Sequence, residues 1–105
     1  MKIIYNNIIP FKGFKAVNLF GLLFARKGAS INETTINHES IHTEQMKELL
    51  YLPFYVWYAI EWLIRLFMKG NAYRNISFER EAYANEKDFD YLSKRKHFSF
   101  FSYIK

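Results

Sequence analysis

The sequence predicts an α+β, mainly helical fold: short β-strands over residues 1–32, then three packed helices over 33–95, with 96–105 as a tail. Three observations predict it. Residues 1–32 are rich in β-branched and aromatic side chains, carry Gly13, Gly21 and Gly28, and offer no helix caps. From Asn32 onward, capping side chains and apolar residues at helical spacing take over. Of the 105 residues 50% are apolar and 20% aromatic, enough for one modest core and too much for a disordered chain.

Within the β region, "FKAVNLFGLLFARKGASI" reads as strands over about 14–20 and 22–31, with Lys27-Gly28 as a turn. The first helix is expected over about 33–51. "NETT" supplies a cap and an acidic first turn, and Ile36, Ile41, Met46, Leu49 and Leu50 recur at roughly helical spacing. Pro53 ends this helix or opens the next, since a first turn tolerates proline. The second helix, about 53–69, is "PFYVWYAIEWLIRLFMK", closed by Gly70-Asn71. The third, about 77–95, starts at Ser77, with Glu79 and Glu81 early and Lys94-Arg95-Lys96 late, a polarity that suits the helix dipole.

Leu49 to Met68 is twenty mostly apolar residues, the length of a bilayer span. Glu61 and Arg65, one helical turn apart and able to pair, oppose a span. Each costs about 2.5–3.5 kcal/mol near a bilayer centre. A core helix is the first expectation, with peripheral membrane contact through residues 49–68 as the alternative.

The formal charge is +5, with basic residues at Lys12, Lys15, Arg26 and Lys27 and again at Lys94, Arg95 and Lys96 beside His97. A solvated surface accounts for this pattern, and no nucleic-acid-binding signature accompanies it. After Lys2, "IIYNNIIPF" is broken by Asn6, Asn7 and Pro10 and is not followed by a small-residue cleavage site, so no secretory signal is read and a cytoplasmic protein is expected.

The chemistry concentrates at "NHESIHTEQ", residues 37–45, where His38, Glu39 and His42 make H-E-x-x-H. Residues four apart on a helix differ by about 40° in azimuth, so both imidazoles project from one face and can chelate one zinc ion. Glu39, rotated by about 100° from His38, flanks such an ion as a general base for a metal-activated water. The chain has no cysteine, so a metal site must be built from histidine and carboxylate. A histidine-only extension of the motif fails, because it requires glycine at 45 and histidine at 48, where Gln45 and Glu48 stand.

On the predicted third helix, "FEREAYANE" (78–86) contains Glu81-Ala82-Tyr83-Ala84-Asn85 and, overlapping it, Glu79-Arg80-Glu81-Ala82. With H-E-x-x-H upstream, the chain resembles the gluzincin group of zinc metallopeptidases, over most of residues 14–95. The resemblance implies one zinc ion held by His38, His42 and Glu81, with Glu39 as base and Asn85 bracing a ligand histidine by accepting its outer ring N–H. Glu79 and His97 remain as competing third ligands. It further implies that "LLFAR" (22–26) is an edge strand that binds extended peptide, and that a tyrosine, histidine or arginine stabilises the oxyanion. Tyr73, Arg74, Tyr83 and His97 are available for that role, with Tyr73 named first.

The expected function is therefore zinc-dependent peptide hydrolysis on a peptide or protein substrate, with a partner chain completing the cleft as another possibility. The alternative is a non-catalytic metal-binding or membrane-associated interaction protein on the same scaffold. A metal-free helical module is the third reading.

Overall fold

The structure, a computed structural model, describes residues 2–8 and 15–104. Pro10, Lys12, Gly13 and Phe14, on which the expectations above drew, lie outside the described residues. The fold is α+β and mainly helical, as expected: a three-stranded sheet precedes the helices.

The strands are β1 (Ile3–Asn6), β2 (Ala16–Leu19) and β3 (Leu22–Arg26), in the order β1-β3-β2. β1 runs parallel to β3, with Ile3 opposite Leu23, and β2 runs antiparallel, with Leu19 opposite Leu22. Both β2 and β3 are shorter than the sequence suggested. The β2–β3 hairpin turns at Phe20-Gly21, where φ is 53° and 89°, a pair of left-handed residues that matches strand twist. Lys27-Gly28 does form a turn, closing β3 with Ala29 N–H donating to the Arg26 carbonyl at 3.0 Å. The expectation that β3 is an edge strand is corrected: β3 is paired on both sides, and β2 is the edge nearest the helices.

Helix α1 spans Glu33–Glu48, and Asn32 caps it by accepting from Thr35 N–H at 2.8 Å. It ends three residues earlier than expected. Leu50 and Tyr51 turn into positive φ (59° and 66°), and Tyr51 N–H donates back to the Met46 carbonyl at 2.7 Å. Helix α2 spans Leu52–Leu66 with Pro53 in its first turn. At 15 residues it is about 22 Å long, short of the ~30 Å hydrocarbon layer. No helix among the described residues is long and apolar enough to cross a membrane.

Helix α3 covers only Ser77–Asn85. The expected helix to residue 95 is broken because Asn37 of α1 draws off the ending carbonyls, donating to Glu86 at 2.8 Å and Asp88 at 3.1 Å. A one-turn helix α4 (Tyr91–Lys94) and a 3-10 helix (Ser99–Tyr103) follow. Nor is 96–105 a tail throughout: Phe100 is fully buried and its ring lies 4.8 Å from that of Phe78. These two rings join Met46, Phe54 and Ile76 in the core.

Glu61 and Arg65, able to pair within α2, do not pair with each other. Glu61 accepts from Ser77 N–H at 2.8 Å, so it caps the start of α3, and from the Trp57 indole at 2.7 Å. Arg65 instead donates to the Ile104 carbonyl at 2.7 Å.

Candidate metal centre

His38 and His42 stand one turn apart on the buried face of α1, and Glu79 reaches them from the first turn of α3. Their inward atoms converge. His38 Nε2 and His42 Nε2 are 3.2 Å apart, and Glu79 Oε1 lies 3.1 Å from the first and 3.0 Å from the second. Three ligands on one tetrahedral zinc, with bonds of about 2.0–2.1 Å, are separated from one another by roughly 3.3 Å. The donor set therefore fits such an ion with little adjustment.

The outward ring nitrogens are fixed as well. His38 Nδ1 lies 2.9 Å from Glu86 Oε1, and His42 Nδ1 lies 2.8 Å from Gln45 Oε1. When Nδ1–H donates to these acceptors, each Nε2 keeps a lone pair facing the centre. Tyr58 donates to the other Glu79 oxygen, Oε2, at 2.6 Å, leaving Oε1 turned to the histidines.

Charge reinforces the geometry. Burial alone pulls the His42 imidazole down, but the charge and hydrogen bond of Glu79 outweigh it and raise the group to about 9. Burial likewise pushes Glu79 up, yet His42 and the hydrogen bonds from His38, His42 and Tyr58 hold it far below the usual carboxylate range. Each partner thus favours the charged form of the other: Glu79 its carboxylate and His42 its imidazolium.

Glu81 is not in this cluster, and the expectation that it is the third ligand gives way to Glu79. Residues two apart on a helix point about 200° away from each other, so only one of the two glutamates can face the histidines. Glu81, fully buried, instead meets Arg95, whose Nη2 donates to it at 3.0 Å, together with Tyr91 at 2.6 Å and Gln45 at 3.0 Å. Arg95 also pairs with Glu48 at 2.8 Å, so one guanidinium serves two carboxylates. Asn85 does not brace a histidine either: its amide donates to the Glu81 carbonyl at 2.8 Å and to Tyr103 at 3.2 Å. The bracing falls to Glu86 and Gln45. A signal for the first was present, since Glu79 and Glu86 are seven apart and share a helical face.

Glu39 lies beside the centre, lining a cleft of about 590 Å³ with His42, Tyr58, Tyr73, Glu79 and β2. Burial raises its pKa, and the two histidines only partly offset this. Asn18 of β2 docks the strand against the site by donating to the Glu39 carbonyl at 2.9 Å and to Thr43 at 3.0 Å. Of the four oxyanion candidates, Tyr73 lines the cleft. Burial and the charge of Glu79 push its hydroxyl well above the normal range, so it remains a neutral donor. Tyr83 stands behind it, 3.4 Å away oxygen to oxygen, with the Arg74 guanidinium 4.0 Å above the Tyr83 ring. His97 is exposed and lies 3.3 Å from Glu48, away from the centre. Tyr58 was missed by the sequence reading, being one of eight tyrosines with no motif around it.

Comparison with protein families, curated proteins and solved structures returns no match to this chain.

Proposed function

We propose that this chain is a small zinc-dependent metallopeptidase-like domain with His38, His42 and Glu79 as metal ligands and Glu39 as general base. The observation that carries the proposal is the convergence of three donor atoms at 3.0–3.2 Å, each histidine tied off at its far nitrogen, beside a carboxylate in an open cleft. Glu79-Arg80-Glu81-Ala82 keeps the gluzincin resemblance with Glu79 in the ligand place. When bound, the ion supplies Lewis acidity, lowering the pKa of water and polarising a carbonyl.

The chain's own residues do the rest. Glu39, its pKa raised by burial, accepts a proton from the attacking water and returns it to the leaving amine. Tyr73 donates its hydroxyl to the developing oxyanion. The edge of β2 that lines the cleft takes an extended peptide as an added strand, and Met46, Phe54 and Tyr55 line the cleft for an apolar side chain.

Two measurements test this. Purified wild-type protein is expected to carry one zinc, and His42→Ala none; equal emptiness of both ends the metal assignment. Glu39→Gln is expected to keep zinc and lose peptide cleavage by ~10²-fold or more; a variant that cleaves like wild type removes Glu39 from the mechanism. One observation favours a second reading, a buried hydrogen-bonded clip without metal: no buried side-chain polar atom among the described residues lacks a partner. Stoichiometric absence of metal selects that reading.

A further inference from the structure

The amide of Gln45 has two chemically different ends, and its surroundings admit only one way round. Gln45 is fully buried on α1, three residues after His42. Its nitrogen donates to the Phe78 carbonyl at 3.1 Å and to Glu81 Oε1 at 3.0 Å. Arg95 holds Glu81 as an ionised acceptor, with Nε 2.5 Å from Oε2 and Nη2 3.0 Å from Oε1, a two-pronged pairing that favours the carboxylate. Tyr91 donates to Oε2 as well, at 2.6 Å. A carbonyl and a carboxylate have no proton to give, so both require the amide nitrogen. Reversing the amide would set its oxygen against two other oxygens and leave buried acceptors without donors.

The amide oxygen is thereby turned to His42 Nδ1, 2.8 Å away. An oxygen in that place accepts the Nδ1 proton and leaves Nε2 as the donor atom, 3.0 Å from Glu79 Oε1 and 3.2 Å from His38 Nε2. We propose that Glu81 is a positioning residue of the metal centre: by fixing Gln45 it commits His42 to bind metal through Nε2. Resting on the proposal that His42 is a metal ligand, this role gives Glu81 a task at a centre it does not touch, across α3 from Glu79. His38 has no such relay, because the Glu86 carboxylate that meets its Nδ1 at 2.9 Å accepts at either oxygen and needs no orienting.

Zinc affinity, measured by chelator competition across a double-mutant cycle, tests the role. Gln45→Leu is expected to weaken zinc binding by about 10–100-fold. Glu81→Leu is expected to weaken it when Gln45 is present and to have no further effect beside Gln45→Leu. Glu81→Gln, whose amide oxygen can still accept from Gln45, is expected to bind zinc as wild type does. A Glu81→Leu penalty of equal size in both backgrounds marks Glu81 as merely structural and overturns the role, as does a Gln45→Leu variant that binds like wild type. Where a leucine variant fails to fold, nuclear magnetic resonance of the zinc-loaded wild type decides. The His42 ring is expected to show metal on Nε2 and a proton on Nδ1, with a through-hydrogen-bond correlation from the Gln45 amide N–H to the Glu81 carboxylate carbon. Metal on Nδ1, or a correlation to the Phe78 carbonyl alone, overturns the role. Wild type that takes up no zinc ends the metal reading and this role with it; wild type that binds zinc with positions 45 and 81 uncoupled ends this role alone.

Discussion

Two glutamates separated by one residue have opposite tasks, and the difference comes from their neighbours. Glu79 faces two imidazoles and a phenol, and Glu81 faces a guanidinium, an amide and a phenol. Substituting them therefore separates binding from stability. Glu79→Gln is expected to abolish stoichiometric zinc, because an amide oxygen replaces the anionic ligand. Glu81→Gln is expected to retain zinc and cost about 1–3 kcal/mol in urea unfolding, since Arg95 keeps Glu48 but loses a charged partner. The reverse pattern, with zinc lost in Glu81→Gln alone, removes Glu79 from the ligand set. The closeness of His38, His42 and the flanking Glu39 was legible because helical geometry fixes their relation within five residues. The choice between Glu79 and Glu81 was not, because it depends on Arg95 and Tyr58, which no local spacing connects to them.

Elements whose ends are set locally were read well, and those set by distant side chains were not. Asn32 caps α1 and Pro53 opens α2, both from neighbouring residues alone. The end of α3, in contrast, is cut by Asn37, and its start is capped by Glu61 of α2. The central place of β3 depends on a parallel partner, β1, whose residues pair with ones 20 positions later, as Ile3 does with Leu23. The 3-10 helix is the clearest case, because a run expected as a tail inserts Phe100 into the core. Phe100→Ala is expected to destabilise the fold by about 3–5 kcal/mol, measured by chemical denaturation. An effect below about 1 kcal/mol would show that the segment only rests on the surface.

At the scale of the whole molecule, the sheet, the two long helices and the C-terminal segment all converge on the same small region. β2 is pinned to α1 through Asn18, and its hairpin to α2 through Tyr55, whose hydroxyl donates to the Asn18 carbonyl and accepts from Phe20 N–H. Zinc binding is thus expected to stabilise the domain as a unit: at a hundred times Kd, by about 2.7 kcal/mol, or roughly 10–20 °C in Tm. A thermal melt that is unchanged by chelator in wild type, as in His42→Ala, argues against a zinc centre. The placement of the donors adds something beyond affinity. The His38–Glu79 and His42–Glu79 contacts join positions 41 and 37 apart in the chain. A ligand held by both helices is therefore a cross-link that encircles α2 and its connections. For a ring of that size, chain-entropy arguments assign an unfolded-state restriction of about 4 kcal/mol, as much as a disulfide contributes. In a chain without cysteine, the centre can serve as the missing bridge.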